Sequence, residues 1–434
     1  MPSETPAQLG QEIELTIEDL AAGGDGLARE ASGRVVFVPG ALPGEKVRVR
    51  LTQAKRDFAR AELLGIAEPS PQRVEPTCPL FGQCGGCQLQ HLDYPAQVEA
   101  KAAWVQRALS RLGELPPLVK VASPQVWGWR HRVRLTLGQE GLGFLAEGSR
   151  QVVPVGECPV AASEVNRLLP GLVQGLAKMD TSRIAYLEIL GGEGRSLVTL
   201  GLDPKRPLSN RWRGELRRLC RQAGASATRL EQGGLVEPWE RQPELGVDYW
   251  QEDGLTLSAY PGEFVQANFG ANRELIRLVR TAAASAPAGA VLELYAGGGN
   301  FTLPLAKDGR VVLAVEGDPE SHASAKAQAQ REGLAGRVEL RQAEVIGAAA
   351  ELAAQGRGFA LALLDPPRTG AKEVMPSLAS LAPKRIVYVS CHPAALARDT
   401  ATLLEKGYHM HSLAVVDMFP HTGHTEAVLV LDCA

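Results

Sequence analysis

Short runs of alternating apolar and polar residues fill the first part of the chain. QEIELTIEDL alternates as a half-buried strand does, and AAGGDGLAR follows it as a turn. RVVFVPGALPGEKVRVRLTQ adds two strands around a Gly/Pro turn, and ARAELLGI is typical of a closing strand. This pattern predicts a small OB-like β-barrel of about five short strands in residues 1–70, followed by the Pro-rich linker PSPQRVEP.

The periodicity changes twice after this linker. YPAQVEAKAAWVQRALSRL, residues 94–112, has apolar residues at helical spacing and stops at a glycine. Residues 115–262 then indicate mainly strands and turns, with one basic helix near NRWRGELRRLCR. From residue 263 onward, strands such as VLELYAG, VVLAVEG and RIVYVSC alternate with helices, which predicts a doubly wound, mostly parallel α/β sheet. We therefore expect three domains: 1–70, a mainly β central domain at 71–262, and 263–434.

Composition adds limits to this picture. The chain has 434 residues, 45% of them apolar, and a net charge of −3, so any surface for a polyanion must be a local patch. It contains no run of about eighteen apolar residues and begins without a basic head followed by an apolar stretch. We therefore expect a cytoplasmic protein that does not bind a membrane.

Three of the seven cysteines lie close together in CPLFGQCGGCQLQHLDYPAQ. Cys78, Cys84 and Cys87 have the spacing C-x5-C-x2-C, and Cys158 follows much later in VPVGECPVA. In a reducing compartment such a set indicates metal ligands rather than disulfides. Four thiolates suit a 4Fe-4S cluster or a structural zinc, and the three-plus-one arrangement favours the cluster. The alternative for Cys158 is a thiol of the core.

A Gly-rich turn follows the first strand of the C-terminal domain. VLELYAGGGNFTLPLA is a buried strand, a turn and a helix, and VVLAVEGD ends the next strand at Glu316. Glycines allow close approach of a ligand to the backbone, and a carboxylate at this position can bind a ribose diol. The absence of a full GxGxxG argues against a dinucleotide and favours S-adenosylmethionine. The alternative is that the glycines form only a tight βα turn.

Three further residues lie at strand ends, where ligands bind in open α/β sheets. Asp365 precedes two prolines in LALLDPPRTG, Cys391 ends the strand in RIVYVSCHPAALARD, and Glu426 opens the last strand after FPHTGHT. Cys391 also stands beside a predicted helix start, where a thiolate is favoured. Each residue taken alone is more often an ordinary core or surface residue.

Methylation of carbon 5 of a pyrimidine would give each of the three a task. A thiolate that adds to carbon 6 makes carbon 5 nucleophilic enough to attack a sulfonium methyl group. A general base must then remove the hydrogen from carbon 5 so that the thiolate can leave. Cys391 as nucleophile, Glu426 as base and Asp365 as a group that reads the base edge fit this scheme.

The sequence also resembles a known family over nearly its whole length. FVQANFGAN, LELYAGGGNFTLPLA, LLDPPRTGA, VYVSCHPAALARD and FPHTGHTEAVLVL occur in the order and spacing of the RNA 5-methyluridine methyltransferases that carry an iron–sulfur cluster. Among these, the sequence is most similar to the bacterial 23S rRNA (uracil-5-)-methyltransferases with an N-terminal TRAM domain. The resemblance implies a Rossmann-like methyltransferase domain beside the TRAM barrel.

The resemblance also implies roles for individual residues. Cys391 would be the nucleophile and Glu426 the base, and Asp365 would also read the uracil edge. The implied contacts to S-adenosylmethionine are Gln266, Tyr295, Asn300, Glu316, Asp365 and Gln342, the last chosen over Glu344. The implied ligands of a structural 4Fe-4S cluster are Cys78, Cys84, Cys87 and Cys158. Two departures from the family pattern, Glu293 for an aspartate and Ala296 for a cysteine, are expected to leave catalysis unchanged.

The expected partner is RNA, most of all 23S rRNA, bound by a monomer. Arg130, Arg132 and Arg134 alternate in WRHRVRLTL and would line one face of a strand, where they suit phosphates. Basic residues of the barrel (Lys46, Arg48, Arg50, Lys55, Arg56 and Arg60) are a second candidate surface. Carbon 6 is hidden inside a helix, so the target is expected to be an unpaired or flipped uridine.

Three alternatives stay open. A tRNA 5-methyluridine methyltransferase would share the chemistry and differ in its RNA. A cytosine C5-methyltransferase would pair a Pro-Cys motif with a second cysteine, which this chain lacks. A non-catalytic iron–sulfur RNA-binding protein would not need Cys391 and Glu426 at strand ends.

Overall fold

The computed structural model describes residues 6–206, 209–232, 235–236 and 246–433. The chain divides into two compact units. The first comprises residues 1–104 with two short later segments, 146–149 and 419–424. The second comprises residues 105–145, 150–418 and 425–434. The expected division at residues 70 and 262 stays a prediction.

A six-stranded sheet opens the first unit, in the order β1-β5-β6-β4-β3-β2. Its strands are β1 (Glu12–Thr16), β2 (Asp19–Leu20), β3 (Gly26–Arg29), β4 (Val35–Val38), β5 (Lys46–Ala54) and β6 (Phe58–Glu68). Strict alternation in β5 buries Val47, Val49 and Leu51 and exposes the residues between them. The two-residue strand β2 is the element that the sequence pattern missed.

The outward side chains of β5 are balanced by acidic neighbours. Lys46 Nζ lies 2.7 Å from Glu68 Oε1, and Arg50 Nη2 lies 2.7 Å from Glu12 Oε1. Arg50 Nη1 also lies 3.7 Å from Glu62 Oε2. The basic run of β5 is therefore largely neutralised by β1 and β6, which weakens its interpretation as a phosphate-binding stripe.

The Cys-rich segment leads into helix α1 (Tyr94–Leu109). A 3-10 turn, Ser110–Leu112, follows, so the helix expected at 94–112 is confirmed. In the first unit, Leu89 and Leu92 pack with Trp104 and Leu20 in a small apolar core. The Trp104 indole N–H donates to the Leu20 carbonyl at 2.8 Å and ties this core to the barrel.

Two sheets form most of the second unit. The smaller one has seven strands in the order β10-β9-β8-β11-β12-β13-β14. These are β8 (Arg132–Gly138), β9 (Gly141–Leu145), β10 (Val152–Pro154), β11 (Ile184–Gly192), β12 (Arg195–Leu202), β13 (Ala227–Gln232) and β14 (Leu235–Val236). The helices α2 (Ser163–Leu176) and α3 (Asn210–Gln222) pack on it, and α3 is the basic helix that the sequence predicted. A separate hairpin, β15 (Val247–Glu252) and β16 (Leu255–Ala259), follows.

The larger sheet has eight strands in the order β19-β18-β17-β20-β21-β23-β22-β7. They are β7 (Leu118–Val121), β17 (Val291–Leu294), β18 (Val312–Glu316), β19 (Val338–Gln342), β20 (Leu361–Leu364), β21 (Arg385–Ser390), β22 (Tyr408–Val416) and β23 (Glu426–Cys433). Its helices are α4 (Phe269–Ala284), α5 (Thr302–Lys307), α6 (Pro319–Arg331), α7 (Val345–Ala354), α8 (Met375–Leu381) and α9 (Pro393–Leu404). The first five strands in that order are parallel, and β23 runs antiparallel between β21 and β22.

The middle strands of this sheet are apolar apart from Glu293 of β17. All four residues of β17 and of β20 are buried, as is typical of parallel strands covered on both faces. Strand order reverses between β17 and β20, which places a ligand crevice at the carboxyl ends of these strands. The doubly wound α/β prediction is confirmed. Strand β7, which comes from far earlier in the chain, was not expected in this sheet.

Candidate active site

The Gly-rich turn leaves β17 in left-handed backbone geometry. Tyr295 has φ +63°, Gly297 +55° and Gly299 +94°. A Cβ at position 299 would lie 3.2 Å from the Leu303 side chain, so this glycine is needed for space as well as for its backbone angle. Burial raises the pKa of the Tyr295 hydroxyl to about 12, and the carboxyl groups of Glu344, Glu373 and Asp399 act in the same direction.

Glu316 at the end of β18 holds this turn. One carboxylate oxygen accepts a hydrogen bond from the Gly297 N–H and the other from the Asp318 N–H, each at 2.7 Å. An ionised carboxylate has about four acceptor positions, so Glu316 keeps capacity for a ligand hydroxyl. The expected ribose-binding residue therefore also supports the glycine turn.

Asn300 lies in an amide pair that the sequence did not indicate. The buried Asn272 of α4 donates its Nδ2 to Asn300 Oδ1 at 2.8 Å, and Asn300 Nδ2 donates back to Asn272 Oδ1 at 3.0 Å. The reciprocal bonds fix the orientation of the Asn300 side chain. Asn272 is the last residue of the FVQANFGAN segment. It meets Asn300 because of the way in which α4 packs against the glycine turn, which the sequence does not show.

Gln266 and Gln342, two further expected contacts to the cofactor, lie in different surroundings. Gln266 is buried directly before α4, whose N-cap Asn268 accepts a hydrogen bond from the Ala271 N–H at 3.0 Å. Gln342 is exposed at the carboxyl end of β19. The Glu344 carboxylate caps α7 and accepts from the Ile346 and Gly347 N–H groups. Two N–H bonds leave Glu344 with acceptor capacity, as they leave Glu316, so the choice of Gln342 over Glu344 stays a prediction.

Three carboxyl groups gather at the ends of neighbouring strands. Glu293 is buried beneath the glycine turn and accepts a 2.5 Å hydrogen bond from the Thr302 hydroxyl. Burial raises its pKa to about 8, opposed by the bond from Thr302, while the charges of Asp365 and Glu316 raise it further. The raised pKa values show that negative charge is unfavourable here without a counter-ion, and a bound cation would favour the ionised carboxylates. The crevice therefore suits a sulfonium ligand better than a dinucleotide.

Cys391 directly follows β21 and is partly buried. The next residue, His392, caps α9 by accepting the Ala395 N–H on Nδ1 at 3.1 Å. The pKa of the Cys391 thiol is raised to about 11, chiefly by burial and then by the carboxylates of Glu426 and Asp365. These contributions oppose the effect expected of the helix start, where a thiolate is favoured.

Arg368 in the DPPR turn acts on the thiol in the opposite direction. Its guanidinium lowers the pKa of Cys391. Arg368 is exposed and comes three residues after Asp365, on the turn that leaves β20. The thiol is therefore influenced by two carboxyl groups, Glu426 and Asp365, and by one cation, Arg368. A ligand that neutralises the carboxylates would lower the pKa of the thiol, and one that neutralises Arg368 would raise it.

Glu426 is affected by the neighbouring carboxyl of Asp365. Burial, followed by the charge of Asp365, raises the pKa of the Glu426 carboxyl well above its ordinary value. Burial also raises the pKa of Asp365 to about 7. Glu426 Oε1 is buried and has no hydrogen-bond partner among the described residues. An unpaired buried carboxyl with a raised pKa is suited to accept a proton from a reacting group.

A buried aspartate holds the DPPR turn against the cysteine strand. Asp399 of α9 accepts hydrogen bonds at 2.7 Å from the Ala371 N–H and from the Tyr388 hydroxyl. Arg398 donates to the Thr369 carbonyl at 2.8 Å. Sequence reasoning missed this network, although VYVSCHPAALARD contains Asp399, because nothing in the motif shows where a buried aspartate finds its donors.

The three predicted RNA-binding arginines do not form one uniform row. Arg130 precedes β8, and its backbone pairs with Val160 and Ala162. Arg132 and Arg134 share the Glu188 carboxylate, at 2.9 and 3.3 Å. These two arginines therefore lie on the same face of β8, with one acidic neighbour that offsets part of their charge.

The four predicted cluster cysteines are all partly exposed. Cys84 Sγ accepts the Gly86 N–H at 3.4 Å, a contact that suits a metal-bound thiolate. Asn166 bonds both the N–H and the carbonyl of Cys158, at 2.9 Å each. Across the described ranges, no three or more His, Cys, Asp and Glu side chains are grouped so that they could hold a metal ion. The cluster therefore stays a prediction.

Comparison with known proteins gives a consistent result. Residues 93–433 match the sequence model of a family described as tRNA (Uracil-5-)-methyltransferase, and residues 6–64 match the TRAM domain. The chain is 36% identical over 429 residues to the 23S rRNA (uracil(1939)-C(5))-methyltransferase RlmD of Klebsiella pneumoniae, covering 97% of this chain and 96% of the relative. The protein of the same name from Edwardsiella ictaluri is 38% identical, with 97% and 95% covered.

A solved structure resembles the whole chain. The crystal structure of the Pyrococcus abyssi tRNA (uracil-54, C5)-methyltransferase, in complex with S-adenosyl-L-homocysteine, has a TM-score of 0.76 at 25% identity. The match covers 96% of this chain and 99% of that chain. The expected methyltransferase fold and the TRAM barrel are thereby confirmed. In the part of the chain that the structure describes, every helix is too short or too polar to cross a membrane.

Proposed function

The chain belongs to the tRNA (uracil-5-)-methyltransferase family and is an RNA uracil-5-methyltransferase, and we propose that its substrate is one uridine of 23S rRNA. One observation carries the assignment of its chemistry. Cys391 and Glu426 flank the paired residues Ser390 and Ala427 at one end of the sheet, and the carboxylates of Glu426 and Asp365 raise the pKa of the thiol. A nucleophile and a buried base are the two groups that C5 methylation requires.

The reaction begins when Cys391 loses its proton and its sulfur forms a bond to carbon 6 of the uracil. The electron pair displaced by this addition makes carbon 5 nucleophilic, and S-adenosylmethionine supplies the methyl group that carbon 5 takes. Glu426 then removes the hydrogen from carbon 5, and the carbon–sulfur bond breaks to restore the double bond and release Cys391. The raised pKa of Glu426 makes its ionised form a stronger base for this step.

S-adenosylmethionine is proposed to bind in the crevice beside the glycine turn. Glu316 would bind its ribose, while Asn300, fixed by Asn272, and Tyr295 would contact the rest of the ligand. Gln266, Asp365 and Gln342 complete the proposed set. The acidic character of the crevice supports a sulfonium ligand, whose charge would in turn lower the raised pKa values of the nearby carboxyls.

Ribosomal RNA is favoured by the relatives, and tRNA is the second candidate. The relatives that share 36% to 38% identity carry 23S rRNA in their names, whereas the solved structure at 25% identity is named for tRNA. Mass mapping of rRNA and tRNA from cells that lack this gene separates the two. One missing methyl group on a 23S rRNA uridine supports the proposal, and a missing methyl group on tRNA would replace it. A cytoplasmic monomer stays the expectation.

The barrel offers a specific surface for the RNA. Phe37 and the exposed Phe58 face outward at a ring-centroid distance of 6.0 Å, and the Arg60 guanidinium lies 5.7 Å from the Phe37 ring centre. Aromatic rings with a nearby arginine are suited to stack unpaired bases. We place the barrel's RNA contact here rather than on the neutralised run of β5. Arg132 and Arg134 would add phosphate contacts, with Arg130 beside them.

A 4Fe-4S cluster held by Cys78, Cys84, Cys87 and Cys158 is part of the proposal. Its support is the spacing of the cysteines and the N–H bond to Cys84 Sγ. The addition mechanism needs no electron, so the cluster would have a structural role. Iron and acid-labile sulfide measured on anaerobically purified protein test it. Loss of both in Cys84→Ser supports the cluster, whereas bound zinc would replace it.

Two variants test the chemistry. Cys391→Ala should abolish methyl transfer and form no covalent complex with RNA. Glu426→Gln should form a covalent protein–RNA complex that persists on a denaturing gel, because thiolate addition precedes proton removal. Normal turnover by Glu426→Gln would exclude Glu426 as the base. Normal turnover by Cys391→Ala would exclude the thiol mechanism.

A further inference from the structure

The loop before Glu426 has an unusual backbone and many buried contacts. Residues 419–424 belong to the first compact unit and are continuous with β23, which begins at Glu426. His421 within this loop is buried and has φ +66°, a left-handed angle that a residue with a side chain rarely adopts. Such an angle persists only where surrounding contacts impose it.

The contacts that impose it come from the end of the Cys-rich motif. The His421 carbonyl accepts the N–H groups of Gln88 and Leu89, both at 2.9 Å. The His421 N–H donates to Gln97 Oε1 at 2.8 Å, and Gln97 Nε2 lies 3.1 Å from His421 Nδ1. Gln97 is fully buried, and its Nε2 also lies within hydrogen-bond distance of the Leu89 and Leu92 carbonyls. Gln97 therefore binds the loop and the Cys-rich segment at once.

Two further contacts fix the same loop. Lys101 Nζ, on a buried side chain of α1, donates to the Phe419 carbonyl at 2.7 Å. The Gly423 N–H donates to Gln88 Oε1 at 3.1 Å, and a Cβ at position 423 would lie 2.3 Å from the Gly23 carbonyl oxygen. The loop is thus held from both of its ends and in its middle.

The Glu426 carboxyl has little support of its own, whereas the Glu426 backbone is also held by the ladder between β22 and β23, where it pairs with Val416. The carboxyl Oε1 has no hydrogen-bond partner among the residues that the structure describes. The direction of the carboxylate therefore depends strongly on where the backbone places it, and that backbone continues from the fixed loop. On these grounds we infer that Gln97 is a positioning residue for the catalytic base. This inference rests on the proposed function of Glu426.

Loss of the Gln97 hydrogen bonds should affect only one step of the reaction. Addition of the Cys391 thiolate to the ring does not use Glu426, whereas removal of the hydrogen from carbon 5 does. A misplaced base should therefore slow the second half of the reaction and leave the first half intact. Displacement of a catalytic group by about 1 Å can cost up to about a hundredfold in rate.

The test compares Gln97→Met with the parent chain in single-turnover reactions with 23S rRNA. Gln97→Met keeps the volume of the side chain and removes its hydrogen bonds. We expect release of methylated RNA to slow by about tenfold to a hundredfold. The covalent protein–RNA complex should form at the parental rate and accumulate, to a lesser extent than is expected in Glu426→Gln.

Trp104→Phe is the matched control. It removes a buried hydrogen bond from the same compact unit, to the Leu20 carbonyl, and keeps an aromatic ring against Leu89 and Leu92, so it alters the same core without removing a hydrogen bond of the loop. This control should not accumulate the complex. Equal slowing of complex formation and product release in Gln97→Met, or an unchanged ratio of complex to product, would overturn the inference. Absence of the complex in Glu426→Gln would instead refute the proposed function itself.

Discussion

The Cys391 thiol should be a poor nucleophile until its surroundings change. Its pKa rises from an ordinary value of 9.0 to about 11, with burial as the largest cause and the carboxylates of Glu426 and Asp365 next. A rise of this size lowers the thiolate fraction at neutral pH by about a hundredfold. Because the thiolate is the reactive species, alkylation should slow by the same factor.

The perturbation is the replacement of both titratable carboxyl groups by amides that cannot ionise as the pH rises, in a double variant, Asp365→Asn with Glu426→Gln. Burial, the largest cause, remains, so we expect the variant to regain about tenfold of the lost reactivity. Arg368→Gln removes the cation that lowers the pKa and should shift the reactivity in the opposite direction.

The assay is the rate of iodoacetamide labelling of the Cys391 peptide, measured by mass spectrometry as a function of pH. The same chain unfolded in urea gives the reference for an exposed thiol with an ordinary pKa. Restricted access lowers the rate at every pH, whereas a raised pKa moves the midpoint of the profile. A native midpoint equal to the unfolded one, or one that rises in the double variant, would refute the reasoning.

Three further results are expected. The kcat/KM for methylation should continue to increase with pH above neutrality, because Glu426 and the Cys391 thiol must both be deprotonated and both have raised pKa values. A flat profile above neutrality would contradict this expectation. Asn272→Ala should weaken binding of S-adenosylhomocysteine by about tenfold in calorimetry, since Asn300 loses its amide partner, and unchanged affinity would argue against that contact. Phe58→Ala should weaken RNA binding by about tenfold in a filter assay, whereas Lys46→Ala, on the neutralised run, should have little effect.

The sequence predicted those parts of the site that follow from one simple rule. Parallel strands bring their carboxyl ends to one edge, so Asp365 and Cys391 could be placed near the glycine turn from periodicity alone. Glu426 opens an antiparallel strand, and its N-terminal end meets the same edge. The chemistry of uracil then assigned a role to each side chain.

The partners of these residues could not be predicted. Asn272 reaches Asn300 only through the register of α4 on the sheet, and Asp399 receives its donors from two separate elements. The rise in the thiol pKa could not be predicted for a related reason: a helix start is visible in sequence, whereas burial and two converging carboxylates are not. The sequence likewise shows that β5 is basic, but it does not show that glutamates of the two neighbouring strands lie beside these basic side chains.

Strand β7 has a consequence for how the chain can be cut. It pairs in parallel with β22 from Leu118 to Val121 and covers what would otherwise be the open margin of the large sheet. A fragment that starts at residue 263, the boundary suggested by periodicity, would leave the backbone groups of β22 unpaired and ready to join another chain. Expression of such a fragment should therefore give aggregates, and one that starts before β7 should remain dispersed.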